Sequence, residues 1–188
     1  MRTLNFLLIA ALLGALQGCF PVVAAGVGAG ALMAADRRTP GAYIEDETIE
    51  DKSLSQIANK FKDTVHVNVT SFNRHILLTG EVPDAAAKAE VEKIVAAVPN
   101  VKVINNELAT SGLSGLASRS SDTVITGDVK LRFLNNPSFQ ANNIKVVTEN
   151  GVVYLMGMVY RKEAAAATDI VSTTRGVQRV VKVFEYLD

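Results

Sequence analysis

Residues 144–159 read IKVVTENGVVYLMGMV, and residues 65–82 read VHVNVTSFNRHILLTGEV. Placing Gly157 on Gly80 sets Ile144 on Val67, Val146 on Val69, Val153 on Ile76, Leu155 on Leu78 and Val159 on Val82, a constant offset of 77 residues. Apolar residues at alternate positions have the period of a strand with one buried face, so each stretch predicts two strands around a turn. Asn73-Arg74 supplies the first of these turns. The same hairpin is therefore encoded twice, and the chain is an internal duplication.

Working outward from the hairpins, the neighbouring segments repeat as well. TIEDKSLSQIANKF has helical spacing before the first hairpin. After it, DAAAKAEVEKIVAAV places Val91, Ile94, Val95 and Val98 on one helical face, with Asp84 behind Pro83 as its N-cap. VKVINNELA then closes the unit as a third strand. The second copy runs from about Asp122 through a helix, its hairpin, the helix RKEAAAATDIVSTTR and the strand VQRVVKVFEYL. A short turn makes the hairpin strands antiparallel, whereas a helical crossover returns the third strand parallel to the second. Each unit is thus expected to be an αββαβ sandwich of the α+β class, a three-stranded mixed sheet with helices on one face. The expected boundaries are 46–110 for the first domain, 111–121 for a linker and 122–188 for the second domain. SGLSGLASRSS, at 111–121, has the Ser and Gly content of a flexible connection.

Upstream, MRTLNFLLIAALLGALQGC has a lone Arg2, an apolar run from Phe6 to Leu16 and small residues before Cys19. That run is shorter than the ~20 residues of a membrane span and reads as a secretory signal over residues 1–18. Leu16-Gln17-Gly18-Cys19 resembles a bacterial lipobox, whose cysteine becomes the first residue and carries a diacylglyceryl thioether and an N-linked acyl chain such as palmitate. Cys19 is the sole cysteine, so it has no disulfide partner within the chain. Several acyl chains, at ~0.8 kcal/mol per buried methylene, make a stable anchor. Phe20 rather than Asp follows the cysteine, which under the sorting rule of such lipoproteins implies the outer membrane. Residues 19–45 are expected to form the lipidated tether: FPVVAAGVGAGALMAA is apolar but interrupted by Gly26, Gly28 and Gly30, and DRRTPGAYIED carries Pro40 and Gly41 as breakers.

ILLTGEV and VYLMGMV, each with its glycine, followed after a helix by NVKVINNEL and GVQRVVKVF, resemble the BON domain family. The resemblance covers about residues 46–188, and a lipobox before two copies narrows it to the dual-BON outer-membrane lipoproteins. It implies a periplasm-facing, non-enzymatic protein that binds anionic phospholipid, phosphatidylglycerol in particular, and supports envelope integrity. It also implies that the first helix of the second domain makes the lipid contact. A tryptophan of that helix in the family matches Val124 by position, and Phe184 matches another position associated with the lipid surface.

The residues themselves argue in the same direction. With 19 basic and 19 acidic side chains, the chain has no global attraction to nucleic acid, and no nucleic-acid partner is expected. Its two histidines, His66 and His75, lack a paired metal-ligand spacing, and no G-x-S-x-G or phosphate-binding loop is present. Asp128, Glu149 and Asp169 show no spacing that selects an acid and base pair. Neither an enzyme, a cofactor nor a metal is expected.

The informative contrast lies between the two copies of the first helix. Ile49, Leu54, Ile57, Ala58 and Phe61 fill one half of the first copy, and polar residues fill the other. In TVITGDVKLRFLNN, Ile125, Val129 and Phe133 form the core stripe, but Val124, Leu131 and Leu134 form a second apolar stripe on the opposite side. Lys130 flanks that stripe and Arg132 stands at its other border. A lipid surface, the other repeat or a partner protein would each cover it. Residues 46–110 carry net charge −3 and residues 122–188 net +1, so an anionic bilayer repels the second copy less. Binding of a partner within the outer-membrane protein assembly machinery, as a chaperone-like module, is the alternative use of the same stripe.

Overall fold

A computed structural model of the chain describes residues 36–112 and 116–188; the signal segment 1–18, Cys19 and the apolar strip 20–35 lie outside the described residues. The order of elements is α1 (Pro40–Phe61), β1 (His66–Phe72), β2 (His75–Val82), α2 (Ala85–Ala96), β3 (Val103–Asn106), β4 (Ala109–Thr110), α3 (Leu116–Leu134), a 3-10 turn (Ala141–Asn143), β5 (Ile144–Glu149), β6 (Val152–Val159), α4 (Arg161–Ser172) and β7 (Arg179–Tyr186). In each copy the hairpin is antiparallel, β1 with β2 and β5 with β6, and the strand after the crossover helix pairs in parallel, β2 with β3 and β6 with β7. The expected α+β order is present twice. The first sheet has one addition, the short β4, which continues beside the end of β2.

Equivalent residues hold equivalent places. Val69, Ile76, Leu78 and Val82 are buried against α1 and α2, and Val67 packs partly buried on the same cluster. Their counterparts Ile144, Val146, Val153, Leu155 and Val159 are buried against α3 and α4. The two glycines that set the register have the same reason to be glycine. A Cβ on Gly80 would lie 2.1 Å from the His66 carbonyl oxygen, and one on Gly157 would lie 2.3 Å from that of Asn143. What approaches each glycine is backbone, from the first residue of β1 at Gly80 and from the residue just before β5 at Gly157, and Gly80 also has φ +110°, a conformation that only glycine adopts freely.

Both hairpin turns are held from the first helix of their own repeat. Asn73 and Arg74 have φ of 51° and 66°, as a two-residue turn between twisted strands requires. Buried Asp46 of α1 accepts hydrogen bonds from both of their amides, at 2.8 and 2.7 Å, and from Ser71 Oγ. Asp122 of α3 does the same for Asn150 N and Gly151 N, both at 2.8 Å. A carboxylate that satisfies two turn amides is a charge-assisted lock on the register.

The structure departs from the sequence expectations at both ends of the predicted linkers. Pro40 and Gly41 do not break the chain: Thr39 Oγ1 caps Ala42 N at 3.1 Å and Pro40 occupies the first helical turn, where its missing N–H costs nothing. Residues 116–121, expected in the flexible connection, are the opening turns of α3. In α1 the buried stripe is Ile49, Ser53 and Ile57, while Leu54 is 40% exposed and Ala58 faces water.

Both repeats belong to one unit, Ala34–Asp188. Helices cover one face of each sheet, and the other faces meet. Phe72 and Leu77 from the first sheet pack with Tyr154 and Met156 from the second, and Val147, Val152, Val181 and Val183 surround them. Around this apolar centre runs a polar rim: Asn73 donates to Glu185 at 2.7 Å and Lys145 pairs with Glu50 at 2.8 Å. Chain ahead of α1 also joins the repeats, because the Arg37 guanidinium binds both Glu163 oxygens at 2.6 and 2.7 Å and the Met158 carbonyl at 2.8 Å. Its neighbour Arg38 pairs with Asp46 at 2.9 Å and stacks 4.2 Å above the Phe72 ring.

Candidate membrane-facing surface

Helix α3 presents two apolar stripes, and only one is used inside the protein. Ile125, Val129 and Phe133 are 4%, 0% and 1% exposed. Val124, Leu131 and Leu134 are 64%, 60% and 70% exposed. At ~100° per residue the centres of the two stripes stand roughly 170° apart, so the second points directly away from the sheet. Since the repeats meet through their sheets, that stripe takes no part in joining them.

The flanking cations differ in what they do. Lys130 is exposed and has no ion-pair partner among the described residues. Arg132 lies nearer the core side of the helix and reaches α4, where Nη1 donates to the Ile170 carbonyl at 2.6 Å and Nη2 to Thr173 Oγ1 at 2.8 Å, with a further bond to Thr174 Oγ1. Its charge therefore caps the C-terminus of α4, where the helix dipole favours a cation. Phe184, named with this surface in the sequence reading, is half-buried and packs against the second repeat's core.

Beside the end of the exposed stripe lies a cavity of about 340 Å³ whose walls include Arg38, Lys130, Leu134, Asn142 and Lys145. Lys145 also binds Glu50, and Arg38 is held by Asp36 and Asp46. Arg38, only two residues after the first described residue, thus shares this cavity wall with Leu134. Sequence spacing had no means of bringing Arg38, Asn142 and Lys145 to α3, because the hairpin register and the sheet contact do so. Among the described residues, no helix is long and apolar enough to cross a membrane.

The described residues thus form a tandem pair of α+β sandwiches with one apolar helix face turned outward and Lys130 exposed beside it. Residues 45–112 and 121–188 each match the BON domain model, and the chain belongs to the BON domain family. It is 38% identical to the outer membrane lipoprotein DolP of Haemophilus influenzae over 96% of both chains. It is also 34% identical to the 21 kDa hemolysin of Actinobacillus pleuropneumoniae, covering 81% of this chain and 79% of that one. Osmotically-inducible protein Y of Escherichia coli is 24% identical over 74% of this chain and 72% of its own.

Proposed function

We propose that the protein is a lipid-anchored, non-enzymatic component of the outer membrane, acylated at Cys19 and facing the periplasm, whose second BON domain binds anionic phospholipid and supports envelope integrity. The observation that carries this reading is the exposure of Val124, Leu131 and Leu134 on the side of α3 opposite its core stripe. Three such side chains have no reason to stay in water unless another surface covers them. Transfer of each into a bilayer interface contributes about 1–2 kcal/mol at the fraction still exposed, and one lysine beside anionic headgroups adds about 1 kcal/mol. Lys130 is the cation for that contact, and Arg132 keeps α3 seated on α4. The likeness over nearly the full length to a protein named as an outer membrane lipoprotein supports the anchoring. Residues 1–18 are then the signal peptide.

Vesicle flotation tests the lipid contact. Vesicles containing phosphatidylglycerol retain the protein more strongly than phosphatidylcholine vesicles of the same size, and Leu131→Glu abolishes the difference while thermal unfolding stays unchanged. Equal retention on both vesicle types overturns the reading. A photocrosslinker at position 131 in cells then yields lipid adducts; one dominant protein adduct would instead assign the stripe to an assembly partner.

A further inference from the structure

His66 and Glu81 are directly opposite each other in the first hairpin, so both side chains point to the face turned toward the second repeat. Glu149, at the end of β5 in the facing sheet, meets them there. One ligand atom from each of the three lies within 4.8 Å of the other two. Glu81 and Glu149 are 1% and 9% exposed, and His66 is half-buried.

Two amides orient the carboxylates, and they do so across the junction. Asn68 of the first repeat donates to Glu149 Oε2 at 2.9 Å, and Asn150 of the second donates to Glu81 Oε1 at 2.9 Å. Outer hydrogen bonds of this kind fix the direction of carboxylates that hold metal ions. Beside the cluster a cavity of about 340 Å³, lined by His66, Asn68, Arg119, Asp122, Thr148 and Glu149, provides a route in and room for water. Duplication does not account for the arrangement, since the positions 77 residues after His66 and Glu81 are Asn143 and Met158.

The geometry points to a divalent transition-metal site at the junction of the repeats, with His66, Glu81 and Glu149 as protein ligands and water completing the coordination sphere. One imidazole nitrogen and two carboxylate oxygens suit Zn²⁺ or Mn²⁺, whereas Ca²⁺ takes six to eight oxygens. Bonds of 2.0–2.2 Å place neighbouring ligand atoms roughly 3.4 Å apart in a tetrahedron, so binding draws the three side chains inward by about an ångström. Because His66 and Glu81 come from one repeat and Glu149 from the other, the ion acts as a clamp between them.

Isothermal titration of the full chain in detergent with ZnCl₂, after treatment with a chelator, tests the site, with Cys19→Ser as a control that excludes zinc held by any unacylated thiol. One ion binds per chain, and zinc at one hundred times Kd raises Tm by about 5–10 °C. His66→Asn, which installs the residue of the second repeat's equivalent position, and Glu149→Gln each weaken binding at least tenfold, whereas His75→Asn does not. Should either variant fail to fold, nitrogen-15 spectra of the imidazole rings in the unsubstituted chain give the same answer: zinc shifts the His66 resonances and leaves those of His75 in place. Absence of stoichiometric binding, binding indifferent to His66→Asn and Glu149→Gln in folded protein, or zinc shifts at His75 alone would overturn the assignment. Vesicle binding by Leu131 and its neighbours is a separate readout and does not depend on this outcome.

Discussion

Helices α1 and α3 are the same element in two copies, and they diverge on one side only. Superposing Asp122 on Asp46 places the buried Ile125, Val129 and Phe133 on the buried Ile49, Ser53 and Ile57. The same superposition places exposed Val124, Leu131 and Leu134 on Thr48, Ser55 and Ala58. Toward the sheet, both helices must satisfy a fixed backbone turn and fill a core, so they vary little in role. Toward water, neither fold demands anything. Three aliphatic residues there are a property of the second copy that folding does not explain, which is why the lipid-binding proposal falls on α3.

If the shared side is set by backbone geometry, the two register glycines should respond alike, and with the largest effect. Gly80→Ala and Gly157→Ala each drive a methyl group into a neighbouring backbone carbonyl, with an expected loss of about 3–5 kcal/mol, seen as a lower midpoint in urea unfolding. A mild effect in one copy alone would separate two repeats whose glycines meet the same backbone obstacle. On the divergent side, Leu131→Glu combined with Leu134→Glu should lower affinity for anionic vesicles by about 2–3 kcal/mol, some 30- to 150-fold, with unfolding within about 0.5 kcal/mol of the parent. The matching pair Ser55→Glu and Ala58→Glu on α1 should leave vesicle binding unaltered in flotation. Equal losses from both pairs would erase the distinction between the helices.

A smaller effect concerns the strap that joins the copies. The Arg37 guanidinium bound to Glu163 holds that carboxyl below its ordinary range. A carboxyl with a lowered folded-state pKa contributes stability above its unfolded value of about 4.5, and the contribution is lost as pH falls through the lower folded value. Glu163→Gln should therefore lower stability by about 1–2 kcal/mol at pH 7, and the difference from the parent should close as calorimetric scans move below pH 4. Smallest is the charge term. Lys130→Gln should weaken anionic-vesicle binding by about 1 kcal/mol in low salt, and raised salt should reduce that difference.

Much of the architecture could be read from residue order because its cause is local. Alternation at 67–69 and 76–82, the Asn73-Arg74 turn, and the Val91 and Val95 face of α2 each follow from neighbours within one or two turns of chain. The exposed stripe was readable for the same reason, since helical period alone separates Leu131 from Val129. Where reading by class of residue went astray, a tertiary partner had overridden the local signal. Pro40 begins a helix because Thr39 caps it, and Arg37 and Arg38 belong to the folded unit because Glu163 and Asp46 await them. Arg132 looked like a headgroup ligand until α4 placed its C-terminal carbonyls within reach. His66 had no metal-like spacing because its companions lie 15 and 83 residues away along the chain, brought near by a hairpin and by the contact of two sheets.

Amino-acid order alone settled the duplication, the αββαβ unit and the greasy outer side of the later first helix, because periodic burial is written within a few residues of chain. How the two units meet, sheet to sheet around Phe72 and Tyr154, was settled only in three dimensions. That contact depends on surfaces assembled from several strands at once, and no single segment carries the shape or charge of a face it builds jointly.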